Sequence, residues 1–207
     1  MSAPPTASLG RPARLACLIS GGGRTVLNLH ERIAAGRLDA EIALLLADRE
    51  CPGVGRCEAA GLPVEVLPRR GFAAAAWPRI EAAGADLTVL AGFLSKLPVP
   101  DRHAGRVLNV HPSLLPAFGG PGMYGDRVHR AAVARGVTVS GCTVHFVTDD
   151  YDAGPIVLQR VVPVTAADDA AAVAARVFEA ERDALPDAVA AYAAGRLRID
   201  SGRVRWT

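Results

Sequence analysis

Apolar positions fall along the chain in two rhythms. Short continuous apolar runs have the length and uniformity of strands buried on both faces: RLACLIS (14–20), AEIALLLAD (40–48), LPVEVLP (62–68), DLTVLAGF (86–93) and GRVLNVH (105–111). Between them lie segments with helical spacing. RTVLNLHERIAAGRL (24–38) places Val26, Leu29, Ile33 and Ala34 on one face and is closed by Gly36. GVGRCEAAG (53–61) and FAAAAWPRIEAAGA (72–85) are further helices, the second with Pro78 in its early turns. This alternation predicts an α/β fold with an open, mostly parallel, doubly wound (Rossmann-like) sheet.

The second half changes style. DRVHRAAVARG (126–136) reads as a helix, and SGCTVHFVT (140–148) and PIVLQRVVPV (155–164) read as strands. The link between these strands is too short for a parallel crossover, so an antiparallel C-terminal strand pair is expected. An Ala-rich helix covers roughly 167–194, with Val173, Val177, Ala184 and Leu185 facing inward and a kink expected at Pro186. RLRID and RVRWT predict a terminal hairpin around Ser201–Gly202. The expected organisation is a disordered tail over 1–13 and a single domain over 14–207.

Composition narrows the classes. Half of the 207 residues are apolar, which supplies a sizeable core, and the net charge is only +2. That balance gives no basis for a nucleic-acid or membrane partner and leaves small-molecule substrates, bound by a monomer or homodimer. No apolar run approaches the ~20 residues of a membrane span, and MSAPPTASLGRPAR lacks the apolar core of a signal peptide. Cys17, Cys51, Cys57 and Cys142 fit no common zinc spacing, and a disulfide framework is not expected in a chain with this much core. Cys17 and Cys142 lie in apolar runs and are expected in the core; the expected compartment is the cytoplasm.

Two places carry candidate chemistry. In LISGGGRTVL (18–27), Gly21, Gly22 and Gly23 separate a strand from a helix, and Ser20, Arg24 and Thr25 add side-chain donors. Free N–H groups at the helix start suit a phosphate, while the same glycines also suit a tight turn that needs them only for geometry. The spacing is neither GxGxxG nor a Walker loop. The second place is the set of polar residues in the strands. Asn109 and His111 are two apart on one strand and so project to the same side, at its carboxyl end. His145 lies in a later strand and Asp152 in the turn DDYDAGP. An amide, an imidazole and a carboxylate, with no Ser or Cys nucleophile in an elbow, suit direct transfer of an acyl-like group between two bound substrates.

LNVHPSLLP (108–116) followed by TVHFVTDDYDAGPIVLQ (143–159) resembles the folate-dependent formyltransferases. The resemblance runs from about Leu15 to Leu197 and includes ISGGG, VLAGFLSKL (89–97) and ARVFEAERDALP (175–186). It implies a formyltransferase fold and transfer of the formyl group of N10-formyltetrahydrofolate, a co-substrate, to the amine of 5′-phosphoribosylglycinamide in purine biosynthesis, with no metal. It implies that Asn109, His111 and Asp152 are catalytic and that His145 supports them. It further implies that Gly21, Gly22, Gly23, Arg24 and Thr25 hold the phosphate of the amine substrate and that Glu181 touches that substrate. The folate is expected against Phe93, Leu94, Ser95, Lys96 and Leu97 and against Val147, Thr148, Asp149 and Asp150.

The chain departs from the family pattern in three places. Arg24 and Thr25 stand where the glycine turn usually reads Ser-Asn, and Leu94–Ser95 replaces a usual Met-Arg. The loop AFGGPGMYGDRVH (117–129) is several residues longer, with His129 alignable and Tyr124 new. The length leaves no room for the extra domains usual in tRNA formyltransferases and folate deformylases. Other readings are the same chemistry on another amine, such as an amino sugar nucleotide, hydrolysis of the formyl donor, or a non-catalytic folate- or nucleotide-binding protein.

Overall fold

The computed structural model describes residues 7–207. The first half winds through β1 (Ala13–Ile19), α1 (Arg24–Ala34), β2 (Ala40–Ala47), α2 (Pro52–Ala59), β3 (Glu65–Val66), α3 (Phe72–Ala82), β4 (Leu87–Leu90) and β5 (Val107–His111). The second half adds α4 (Asp126–Arg135), β6 (Val139–Phe146), β7 (Ile156–Pro163), α5 (Ala170–Ala193) and a separate hairpin, β8 (Leu197–Asp200) with β9 (Arg203–Trp206). One seven-stranded sheet runs in the order β3-β2-β1-β4-β5-β6-β7. The first five strands are parallel; β6 is antiparallel to both β5 and β7.

The chain winds outward from β1 to β3 and then returns to β4 on the other side of β1. The order therefore reverses between β1 and β4, which leaves an open crevice at their carboxyl ends. Both faces of the sheet are covered. Val26, Leu29, Val173, Val177 and Leu185, from α1 and α5, pack on one face, and Phe72, Ala76, Trp77 and Ile80 of α3 pack in a second cluster. Cys17 and Cys142 are fully buried, as their apolar settings predict, and all four cysteines are free.

Three local expectations change. The chain is already placed before residue 14: the Leu9 N–H donates to the Ala193 carbonyl, Arg11 ion-pairs with Asp86, and β1 starts at Ala13. The rest of the expected tail, residues 1–6, lies outside the described residues. The strand expected over 62–68 shrinks to Glu65–Val66, because Pro63 and Pro68 cannot donate to a ladder. Ala34 is exposed rather than part of the inward face of α1.

At Pro186, where a kink is expected, α5 continues as one helix. Proline leaves the carbonyl four residues back without its helical donor. Here that carbonyl, of Arg182, accepts instead from the buried Asn28 side chain at 2.9 Å. Asn28 on α1 thereby satisfies α5 and ties the two helices together.

Candidate active site

The last residues of β5 and their partners on β6 supply the polar cluster. In the antiparallel register Asn109 faces His145 and His111 faces Thr143. Asn109 Nδ2 lies 3.1 Å from His145 Nε2, and His145 Nδ1 lies 2.9 Å from the Phe146 carbonyl. The carbonyl fixes the proton of a neutral ring on Nδ1, so Nε2 accepts from the Asn109 amide. Asn109 is thereby oriented with its second N–H unspent.

His111 is 4% exposed, and its Nε2 donates to the Phe118 carbonyl at 2.9 Å. Nδ1 is therefore the nitrogen that gains and loses a proton, and it stands 3.5 Å from Asp152 Oδ2. Asp152 comes from the turn after β6 and adopts a left-handed backbone with φ 54°, a conformation Asp tolerates. Its Oδ2 accepts the Gly120 N–H at 2.9 Å, and its Oδ1 lies 3.6 Å from His145 Nε2. One carboxylate thus sits against both imidazoles and the long loop.

Burial and the neighbouring charges pull in opposite directions, and a different one prevails at each group. Burial pushes the His111 imidazole below its ordinary value, and the Asp152 charge and the Phe118 hydrogen bond recover only part. For Asp152, burial alone would raise the carboxyl. Positive charge at His111 and the Gly120 N–H oppose that, and the carboxyl is held below the usual range. The resting pair at neutral pH is an imidazole beside a carboxylate, ready to take up one proton between them.

These groups open into one cavity of about 440 Å³. On one side stand Gly22, Gly23, Arg24 and Thr25 at the start of α1, with Phe178 and Glu181 of α5. The Arg24 guanidinium stacks 4.1 Å from the Phe178 ring centroid. Burial pushes the Glu181 carboxyl up to about 8, with Arg24 opposing in part. The first N–H groups of α1 have no intrahelical partner, so this corner offers a guanidinium and backbone donors to an anion. On the other side, Phe93, Leu94, Ser95, Lys96 and Leu97 face Val147, Thr148, Asp149 and Asp150 across a slot whose deeper wall is apolar.

Two predicted residues have other work. Gly21 is absent from the cavity wall; its carbonyl accepts the Gly53 N–H at 2.9 Å. Ser20 is buried, and its Oγ accepts the Leu94 N–H at 2.8 Å, which stitches the slot's loop to the glycine turn. The same loop is held from below by Asp48, whose side chain is fully buried and accepts from Ser95 and from both Nε and Nη2 of Arg49. Asp48, Gly53, Phe178 and the wall position of His129 escaped sequence reasoning. A lone acidic residue ending an otherwise apolar strand was the available signal for Asp48; the others act through contacts distant in sequence.

A doubly wound sheet whose carboxyl edge carries this cluster between an anion corner and an apolar slot is an arrangement suited to direct group transfer between two bound substrates. Residues 13–189 match the formyl transferase family, and the chain belongs to it. It is 38% identical over 196 residues to a chloroplastic phosphoribosylglycinamide formyltransferase of Vigna unguiculata, covering 90% of this chain and 63% of that protein. It is 34% identical to the phosphoribosylglycinamide formyltransferase of Haemophilus influenzae, covering 90% of each. The crystal structure of glycinamide ribonucleotide transformylase 1 from Symbiobacterium toebii superposes with a TM-score of 0.87 at 37% identity, covering 95% of each chain.

Proposed function

We propose that this protein transfers the formyl group of N10-formyltetrahydrofolate to the amine of 5′-phosphoribosylglycinamide in purine biosynthesis. The observation that carries the reading is the placement of Asn109, His111 and Asp152 where the anion corner meets the apolar slot. The corner suits a sugar phosphate: the N–H groups at the start of α1 and Arg24 take the dianion, and Glu181 takes polar groups of the sugar. The slot suits a flat heteroaromatic ring, held by Phe93, Leu97 and Val147 and by the backbone around Thr148 to Asp150. The names of the two relatives and of the superposed structure support phosphoribosylglycinamide as the formyl acceptor.

The residues divide the chemistry. The amine nitrogen bonds to the formyl carbon, and the carbonyl oxygen takes up negative charge. The free N–H of Asn109 and a proton on His111 Nδ1 stabilise that oxygen. Asp152 stabilises the proton that the resting pair takes up on His111 Nδ1, and through a water it takes the proton that the attacking nitrogen must lose. The same proton is delivered to the departing folate nitrogen as the carbon–nitrogen bond breaks, so no net proton leaves the site. The proposed compartment is the cytoplasm, consistent with four free thiols; no helix among the described residues is long and apolar enough to cross a membrane.

The test is turnover of N10-formyltetrahydrofolate by the purified protein with and without 5′-phosphoribosylglycinamide. Deformylated folate is expected only with the ribonucleotide present, together with the formylated amide. Equal release without any amine would make the protein a hydrolase, and transfer to an amino sugar nucleotide alone would reassign the substrate. Folate binding without turnover would make it a binding protein.

A further inference from the structure

Gly21, Gly22 and Gly23 carry no side chains, so nothing within the glycine turn fixes which way its peptides face. The hold comes from α2. The Gly53 N–H donates to the Gly21 carbonyl at 2.9 Å, and Arg56 Nη1 donates to the Gly22 carbonyl at 3.1 Å. Arg56 is exposed, yet its guanidinium lies against the turn: a Cβ added at Gly22 would stand 3.3 Å from Nη1. No carboxylate among the described residues forms an ion pair with Arg56, so its charge is directed at this backbone carbonyl. In a trans peptide the carbonyl and the N–H point in opposite directions. The Gly22 carbonyl faces Arg56, so the N–H of the same peptide, that of Gly23, faces away from α2. Gly22 and Gly23 both line the cavity, and Arg56 does not.

We propose that Arg56 is a positioning residue for the anion corner: it locks the Gly22–Gly23 peptide with its N–H turned toward the phosphate of the amine substrate; this rests on the functional reading above. A peptide between two glycines rotates at little steric cost. Rotated, it would present a carbonyl oxygen to the phosphate and turn an attraction into a repulsion. The charge-assisted bond to the Gly22 carbonyl holds the productive orientation. It also polarises the peptide, which makes the N–H at its other end a stronger donor. The neighbouring Gly21–Gly22 peptide is held in the same way by the Gly53 N–H, so α2 sets both peptides that lead into α1. Arg56 acts through the backbone and does not itself touch the substrate.

The experiment compares wild type, Arg56→Met and Arg56→Lys in steady-state kinetics at low and high salt, with inorganic phosphate as a competitor of the amine substrate. Methionine keeps an unbranched stem and removes the donors; lysine returns a charged donor. Arg56→Met is expected to raise both KM for the amine substrate and the inhibition constant of phosphate by about tenfold, the worth of one net hydrogen bond. Its kcat and its KM for the formyl donor should stay within about twofold, and its thermal unfolding midpoint near wild type, because the side chain is exposed. Arg56→Lys should recover most of the lost KM. The KM ratio between Arg56→Met and wild type should persist at high salt, since salt screens the field of an exposed charge and not the orientation of a peptide. An unchanged KM for the amine in Arg56→Met, an equal rise in both KM values, no recovery in Arg56→Lys, or a ratio that vanishes at high salt overturns the inference. If Arg56→Met fails to fold, the comparison of Arg56→Gln with Arg56→Lys gives the same reading. Should wild type not formylate the ribonucleotide at all, the functional reading falls and this inference with it; a normal wild type with an indifferent Arg56→Met removes this inference alone.

Discussion

Asn109 and His145 stand directly opposite each other on β5 and β6, and the Asn109 amide nitrogen lies 3.1 Å from His145 Nε2. The contact makes His145 a positioning residue: it fixes which way the amide points without itself facing the reacting carbon. His145→Phe removes the acceptor and frees the amide to rotate, and His145→Gln restores part of it. We expect kcat to fall about tenfold to a hundredfold in His145→Phe and less in His145→Gln, with both KM values near wild type. Steady-state kinetics on the two variants measures the split; a rise in KM at constant kcat would contradict the positioning role.

Asp152→Asn preserves shape, and asparagine accepts the left-handed backbone that φ 54° imposes. The variant loses the negative charge beside His111 Nδ1 and the site that takes the amine's proton. Turnover should drop by about 10² to 10⁴ while folding and substrate binding persist. Calorimetric or fluorescence titration with each substrate, set beside the rate, checks this; near-normal turnover would remove Asp152 from the mechanism.

Gly53 supports the anion corner from behind. A Cβ at this position would stand 2.5 Å from the Gly21 carbonyl oxygen and 2.8 Å from the Gly23 nitrogen, both backbone atoms that cannot swing aside. Gly53→Ala should therefore cost about 1–3 kcal/mol of stability and raise KM for the phosphate-bearing substrate more than for the folate. Denaturant unfolding and paired KM measurements test it.

Stability should respond to pH with two opposing contributions. His111 and His129 have pKa values depressed below the ordinary 6.5, so the unfolded chain binds protons first as pH falls. Their contribution is full above pH 6.5 and is lost as pH drops below it. Glu181 has its pKa raised from 4.5 to about 8, so its penalty grows as pH climbs through that interval. Glu181→Gln should consequently unfold at higher denaturant than wild type at pH 8, by on the order of 1 kcal/mol, with the difference shrinking toward pH 5. A gain independent of pH would sever the effect from Glu181 ionisation.

Much of this was legible in the chain itself. Continuous apolar runs such as RLACLIS can be satisfied only as strands covered on both faces, and their alternation with helical periodicity sets the doubly wound order. Two polar residues at the end of such a run, Asn109 and His111, are two apart, so their shared side at the open carboxyl edge could be read from spacing. The short DDYDAG link required β6 and β7 to be antiparallel.

Tertiary structure decided the rest, because it depends on atoms distant in sequence. Gly21 reads as a ligand from its place in the glycine turn, yet it lies outside the cavity wall, where its carbonyl accepts from Gly53. Pro186 removes a donor from α5, and only Asn28, 154 positions away from Arg182, supplies the missing one. His129 carries no local mark that separates it from any helical histidine; only packing shows that its Nδ1 is sealed from water without a partner. Periodicity fixes which face a side chain takes, since that follows from backbone geometry alone. Hydrogen-bond satisfaction is a property of the assembled interior, where each buried donor and acceptor is settled by whatever the fold brings beside it.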